Sequence, residues 1–152
     1  MIEVVGDLWD YPADWRCITT NGFVKKNGEC VMGRGCAYEA TQRYHGLAKR
    51  LGQDILQDGN YLRVYRDLEL IAFPVKHHWY EKADPELIQR SAQELGVFVK
   101  DILDEYDYIL GIDDAPPTFL LPRPGCGNGG LKWEEVKPLL IDLPDNVKVI
   151  TR

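Results

Sequence analysis

Two clusters of glycine restrict what this chain can fold into. Gly33-Arg34-Gly35 precedes a helical pattern, and the run from Gly125 to Gly130 stands between a strand-like segment and another helical pattern. Glycine adopts positive φ and lets a ligand approach main-chain amides, while a helix start has unpaired N–H groups at the positive end of its dipole. The arrangement predicts two loops that hold the two phosphates of one diphosphate. Tight loops without a ligand are the alternative.

Because the chain has a negative net charge, an anionic ligand would have to be held by a local site. The chain has 18 basic and 24 acidic side chains, a net charge of −6, so its surface as a whole repels nucleic acid and anionic membranes. No apolar run approaches the ~20 residues of a membrane span. The segment Met1 to Val5 resembles a strand and lacks the features of a signal peptide. We therefore expect a cytoplasmic protein with no membrane partner.

The cysteines indicate neither a disulfide scaffold nor a metal site. Four in 152 residues are too few for such a scaffold, and none forms a C-x-x-C pair. We expect reduced thiols, no metal and no cofactor. The four residues are Cys17, Cys30, Cys36 and Cys126.

Helical periodicity occurs in three places. An apolar stripe from Pro85 to Tyr106 predicts a long helix with Asp84 as its N-cap. A second stripe runs from Gly35 to about Leu51, with Gly46 as a point where it could break. A short helix is predicted from about Lys132 to Ile141.

Apolar segments between these helices predict strands, and their alternation indicates a three-layer α/β domain with a mixed sheet. The chain has no repeat or linker, so residues 1–152 are expected to form one domain. Asn27-Gly28 predicts the turn of a small hairpin. The strand-like segments are Ile2–Val5, Arg16–Thr19, Tyr61–Tyr65, Leu70–Val75, Tyr108–Gly111, Phe119–Leu121 and Val147–Ile150.

The second glycine cluster matches G-x-G-x-x-G, but the context of a dinucleotide-binding fold is missing. That motif opens a βαβ unit and is followed after ~20 residues by an acidic side chain. Here Ile150 occupies that position, close to the end of the sequence. Neither cluster ends in G-K-[ST], so a phosphate-binding NTPase loop is also disfavoured.

Taken in order, the motifs resemble the macrodomain, a fold that binds ADP-ribose. The resemblance covers nearly the whole chain and is closest to the DarG-type antitoxin macrodomains and the terminal ADP-ribose glycohydrolases, because of the segment from Phe73 to Trp79, FPVKHHW. The other matching segments are Gly6-Asp7-Leu8, Thr19-Thr20-Asn21-Gly22, Val31–Ala37 (VMGRGCA) and Pro124–Trp133 (PGCGNGGLKW).

The resemblance implies a ligand site for ADP-ribose. Asp7 would accept a hydrogen bond from the adenine amino group beside the Leu8 amide, and Asn21 would contact the distal ribose with a catalytic role. Without the resemblance, Asn21-Gly22 reads as a turn. The remaining implied ligand-binding residues are Gly33, Gly35, Cys36, Gly125, Cys126, Gly127, Asn128, Gly129 and Gly130.

Lys76 carries the strongest catalytic hypothesis. In the lysine-dependent branch of these enzymes, the lysine at this position acts at the anomeric carbon of the distal ribose. An amine can do so only if its pKa is lowered by burial or a neighbouring cation. A solvated lysine after a strand is the alternative. His78 either orients the ligand or is a surface histidine.

The resemblance has departures that leave the function open. Gly129 stands where the terminal glycohydrolases have aspartate, whereas the DarG type has the same Asn-Gly-Gly as this chain. DarG-type antitoxins also have a second, toxin-binding domain, and none is expected within these residues. We expect a monomer that hydrolyses ADP-ribosyl linkages on nucleic acid or protein. The alternatives are a non-catalytic ADP-ribose reader and an ADP-ribose-1″-phosphate phosphatase. Lys25-Lys26 and Arg34 form either a basic lip for nucleic acid or a solvated hairpin tip.

Overall fold

The computed structural model describes residues 1–110 and 115–152. Within them, six strands form one mixed sheet in the order β1-β6-β5-β2-β4-β3. Neighbouring strands are parallel except for the antiparallel pair β3 and β4. The strands are β1 (Ile2–Val5), β2 (Trp15–Asn21), β3 (Arg63–Tyr65), β4 (Leu70–Lys76), β5 (Phe119–Pro122) and β6 (Val147–Thr151).

Four α-helices and three short 3₁₀ helices complete the described fold. The α-helices are α1 (Gly35–Arg43), α2 (Leu47–Asp58), α3 (Pro85–Leu110) and α4 (Trp133–Val136). The 3₁₀ helices are Arg66–Leu68, Gly127–Gly129 and Lys137–Leu140.

Strand β4 shows how the sheet separates two cores. Successive strand residues point to opposite faces. Phe73 and Val75 belong to the core that includes α3, whereas Leu70 and Ala72 belong to the core that includes α1 and α2. The predicted three-layer α/β/α architecture with a mixed sheet is therefore confirmed.

Two predicted helix boundaries are confirmed, the break at Gly46 and the start of the long helix at Pro85. Gly46 has a φ of +79° and separates α1 from α2, so the second stripe is two helices. Asp84 caps α3, because its Oδ1 accepts a hydrogen bond from the Glu86 N–H at 3.0 Å and Pro85 occupies the first helical position. The last predicted helix is an α-helical turn that continues as a 3₁₀ helix containing Pro138.

The predicted strand Tyr108–Gly111 is wrong where the structure describes it. Residues 108–110 continue α3 to its end at Leu110, and Gly111 lies outside the described residues. A short apolar run fits either a buried strand or a buried helix. Leu110 falls four residues after Tyr106, so the run also continues the helical stripe.

The hairpin around Asn27-Gly28 forms, with an antiparallel bridge between Val24 and Cys30. It packs against α2: the Lys49 ammonium donates to the Asn27 carbonyl at 2.9 Å. A Cβ on Gly52 would lie 2.0 Å from the Gly28 carbonyl oxygen, so helix and turn are in close contact. This contact fixes the hairpin relative to α2.

Candidate functional site

A cleft of about 840 Å³ opens at the carboxyl ends of β2, β4 and β5. Ligands of parallel α/β sheets bind at this edge, where loops leave the strands. Both glycine clusters reach it, although they are far apart in sequence. The predicted residues in its wall are Asn21, Gly33, Gly35, Cys36, Lys76, Gly125, Cys126, Gly127, Asn128, Gly129 and Gly130.

A second cavity of about 410 Å³ adjoins the first. Its wall includes Gly6, Leu8 and Arg152. Asp7 is not part of this wall, but it accepts a hydrogen bond from Arg152, which is. The residues that border both cavities are Gly35, Cys36, Pro122, Arg123, Cys126 and Gly127.

The glycines of the cleft differ in what surrounds them. A Cβ at Gly33 or Gly127 would meet no heavy atom of the described chain within 4 Å, so these two glycines face open space. A Cβ at Gly125 would lie 2.7 Å from the Ile88 Cδ1, and one at Gly129 would lie 3.0 Å from the Ala83 Cβ. Gly33 and Gly127 thus leave room for a ligand, while the other two are required by packing.

Helix α1 presents its amino terminus to the cleft. Its N-cap residue is Arg34, whose side chain makes no capping hydrogen bond to the described chain. The first N–H groups of a helix have no partner within the helix. The residues that carry them, Gly35, Cys36 and Ala37, all lie in the cleft wall. This end can therefore accept an anion.

The second glycine loop differs from its prediction. It forms its own 3₁₀ turn, Gly127–Gly129, whereas the next helix, α4, begins only at Trp133. The N–H of Lys132 donates to the Glu135 carboxylate at 2.9 Å, so that helix start is already capped. The cleft wall ends at Gly130. The amides offered to a ligand are consequently those of the 3₁₀ turn, whose first N–H groups have no partner within it.

Lys76 is the last residue of β4, and its amine reaches the second glycine loop. The Nζ donates to the Asn128 carbonyl at 3.1 Å and to the Trp79 carbonyl at 3.4 Å. Its own carbonyl accepts hydrogen bonds from the Gly22 N–H and the Asn60 side chain. Partial burial, and then the charge of Arg34, lower the pKa of the Lys76 amine. This lowering of the pKa has the direction that the hypothesis of a catalytic amine requires.

Asn21 pairs with Lys76 in the register of β2 and β4, beyond a bulge after Thr20. Its side-chain amide donates to the Val31 carbonyl at 2.8 Å and accepts from the Phe23 N–H at 2.9 Å. An asparagine amide has a second N–H and a second lone pair. Asn21 therefore fixes the loop that follows β2 and keeps one donor and one acceptor for a ligand.

The cysteines of the cleft are unsuited to act as nucleophiles. All four cysteines of the chain are free thiols. Burial raises the pKa of Cys36, whose sulfur lies 3.4 Å from the Thr19 N–H and hydroxyl. Burial also raises the pKa of Cys126. Since the thiolate is the reactive form, both side chains act as wall residues.

An aromatic wall beside Lys76 was not predicted from the sequence. Trp79 and Tyr80 line the cleft and are 50% and 66% exposed. Tyr80 stacks on His78 with ring centroids 5.5 Å apart. The ring centroids of His78 and Phe23 are 5.7 Å apart. His78 thus supports the tyrosine from behind, a role that neither hypothesis for it included. The available signal was the position of these aromatics, directly after the carboxyl end of a buried strand.

Three cations also line the cleft besides Lys76. The sequence predicts Arg34 only as part of a basic lip, and no motif points to Lys82 or Arg123. The Arg123 guanidinium lies 4.7 Å from the Trp133 ring centroid and 3.4 Å from the Glu3 carboxylate. These positive charges partly offset the acidic surface where an anion would enter.

Two other kinds of feature are absent from the described residues. No helix within residues 1–110 and 115–152 is long and apolar enough to cross a membrane. In the same part of the chain, no three side chains of the types His, Cys, Asp and Glu are grouped as metal ligands.

Comparison with known proteins identifies the fold through structure. No protein-family model matches the chain. No curated protein matches its sequence. The macrodomain of Mycobacterium tuberculosis DarG matches with a TM-score of 0.72 and 24% identity, and that of Thermus aquaticus DarG with 0.71 and 22%; each covers 98% of this chain and 95% of the macrodomain.

A third solved structure, Thermosipho africanus DarTG in complex with ADP-ribose, matches with a TM-score of 0.62 and 21% identity. It covers 98% of this chain and 41% of the DarTG chain. The chain therefore has the macrodomain fold, as the order of its motifs predicted.

Proposed function

We propose that the cleft binds ADP-ribose and that the protein hydrolyses ADP-ribosyl linkages on nucleic acid or protein, with Lys76 acting at the distal ribose. One observation carries this proposal: the Lys76 amine, with a lowered pKa, is held 3.1 Å from the carbonyl of a glycine loop that lines the cleft. The presence of ADP-ribose in the Thermosipho africanus DarTG complex supports the choice of ligand.

The shape of the site suits a ligand with two halves joined by a diphosphate. The two cavities meet at residues of both glycine loops, including Gly35 and Gly127. Main-chain amides at this junction would bind the diphosphate. The larger cavity contains Asn21 and Lys76 and would take the distal ribose, because hydroxyl groups require polar partners. The smaller cavity would take the adenosine half.

The reaction would proceed by displacement at the anomeric carbon. The unprotonated Lys76 amine forms a bond to this carbon while the bond to the acceptor breaks, and the electron pair leaves with the acceptor. The bound nitrogen then gives up a proton, which the acceptor or solvent takes. Water subsequently replaces the lysine at the carbon and regenerates the amine together with free ADP-ribose. Asn21 would hold the ribose during both steps.

The proposal is tested with three substrates that carry thymidine-linked, guanosine-linked and carboxylate-linked ADP-ribose. We expect the wild type to release ADP-ribose from at least one of them, and Lys76→Ala to lose this activity. Lys82→Ala is the matched control, since it removes another lysine from the same wall. Equal release by wild type and Lys76→Ala, or no release from any substrate, would refute hydrolysis through Lys76.

A reader without activity is the second candidate, and the hydrogen bonds of Lys76 are the observation that favours it. An ammonium that donates to two carbonyls can serve to close the cleft wall without reacting. Calorimetry would then show ADP-ribose binding with no turnover of any substrate, and Lys76→Ala would change the affinity little. Release of phosphate from ADP-ribose-1″-phosphate would instead identify a phosphatase.

A further inference from the structure

The smaller cavity has an arginine in its wall that no motif predicted. Arg152 follows β6, and its guanidinium donates to the Asp7 Oδ2 at 2.7 Å and lies 3.5 Å from the Glu39 Oε2. Its side chain is 73% exposed. Asp7 and Arg152 are 145 residues apart, so the pair forms only in the folded chain.

The composition of this cavity selects against a phosphate. Both guanidinium groups of its wall are already paired, Arg152 with two carboxylates and Arg123 with Glu3, so neither offers an uncompensated positive charge. Leu8 and Ile150 supply apolar surface in the same wall. A flat, neutral ring with an amino group fits such surroundings, because apolar side chains can pack on the ring while carboxylates accept from the amino group.

The bonds of Asp7 leave room for a ligand. Its Oδ1 accepts from the Trp9 N–H at 2.9 Å and its Oδ2 from Arg152. A carboxylate has about four acceptor positions, so about two remain. These bonds lower the pKa of Asp7, which keeps the group an acceptor. Arg152, bonded to the carboxylate through its edge, keeps the faces of its planar guanidinium for stacking.

We propose that Arg152 is an adenine-binding residue, whose guanidinium stacks on the purine while Asp7 accepts from the amino group. This inference rests on the proposed binding of ADP-ribose. It adds to that function a residue that recognises the base and is separate from the reacting end of the ligand.

The first test measures binding of ADP-ribose by calorimetry. Arg152→Ala is expected to weaken binding about 2- to 5-fold, the range of an exposed cation–π contact. Arg43→Ala is the matched control: this arginine lies 4.5 Å from the Trp9 ring and outside the walls of both cavities. Unchanged or tighter binding by Arg152→Ala overturns the inference, and tighter binding would mean that Arg152 obstructs the cavity.

The second test reads the stacking directly by nuclear magnetic resonance. The Nε–H signal of Arg152, assigned through its absence in Arg152→Lys, is expected to move upfield when ADP-ribose is added, because it enters the shielding region of the purine ring. Ribose 5-phosphate, which has no base, should leave it in place. A signal that ignores ADP-ribose at saturation overturns the inference.

The two proposals fail in distinguishable ways. If the wild type binds no ADP-ribose at millimolar concentration, the proposed function and the role of Arg152 are both overturned. If the wild type binds and Arg152→Ala binds equally well, only the role of Arg152 is overturned.

Discussion

Lys76 and Asn128, 52 residues apart in the chain, are joined by a hydrogen bond of 3.1 Å from the lysine Nζ to the asparagine carbonyl. Asn128 is the middle residue of the 3₁₀ turn that lines the cleft. The amine proposed to react and the amides proposed to bind the diphosphate therefore belong to one bonded unit. Movement of the loop would also move the amine.

The activity should depend on pH through Lys76. Burial and Arg34 lower its pKa, and the unprotonated amine is the reactive form, so the rate should rise with pH until the lowered pKa is passed. Arg34→Gln removes the neighbouring charge, raises the pKa of Lys76 and moves this rise to higher pH. The measurement is the pH profile of kcat for both proteins. A rate that falls as pH rises from neutral would contradict the mechanism.

Bulk at Gly33 should block the ligand without harming the fold. Because Gly33 faces open space, Gly33→Val is expected to lower ADP-ribose affinity at least about tenfold and change the free energy of unfolding by about 0.5 kcal/mol or less. Gly52→Ala is the contrasting variant, since its Cβ would meet the Gly28 carbonyl; it should lose about 1–3 kcal/mol of stability. Calorimetry measures the affinity for ADP-ribose, and denaturant unfolding measures the stability. Undiminished affinity in Gly33→Val would show that the ligand does not lie against Gly33.

The aromatic wall should matter most for substrates in which ADP-ribose is attached to a base. Tyr80 is exposed beside Lys76 and supported by His78, so a released base can stack on it. Tyr80→Ala should slow release from such substrates by about 5- to 150-fold, corresponding to a stacking contact of about 1–3 kcal/mol. Release from carboxylate-linked protein should change little. The measurement is kcat/KM on both substrate types. Tyr38→Ala is the control, because this tyrosine of α1 is exposed and lies outside the walls of both cavities. If Tyr80→Ala slows release equally from both substrate types, Tyr80 does not recognise the base.

A buried hydroxyl beside the site should contribute to stability. Ser91 on α3 is fully buried and donates to the Pro74 carbonyl of β4 at 2.7 Å. Ser91→Ala is expected to lower the free energy of unfolding by about 1 kcal/mol, because that carbonyl loses a partner away from water. Thr41→Ala removes a hydroxyl that also donates to a carbonyl, but on the exposed surface of α1, and should cost less. Urea unfolding of the two variants decides the order.

Local patterns predicted most of the fold because they depend on neighbouring residues. The apolar run of β4 and the stripe of α3 indicated their structures directly, and Gly46 marked the break between two helices. The error at residues 108–110 arose where a short apolar run satisfies both periodicities. The sequence alone does not decide between the two periodicities.

The candidate site was predictable only where its residues carry a motif. Gly33, Gly127 and Lys76 could be named because they stand in recognisable segments. Arg152 and Tyr80 could not, because their positions depend on tertiary contacts. Arg152 meets a residue at the opposite end of the chain. Tyr80 stacks on His78, which in turn packs against Phe23 after β2. Side chains of this kind acquire a role only when strands and loops have come together.

In the proposed function, main-chain amides of the cleft would hold the anion, while side chains around its rim would distinguish one attached group from another. Anchoring and selectivity would thus belong to different parts of the polypeptide. Exchange of the rim aromatics Trp79 or Tyr80 should then redirect the protein towards another linkage, because the anchor stays the same. If the proposed hydrolysis holds, a few rim substitutions would suffice to build variants of this chain that act on different linkages.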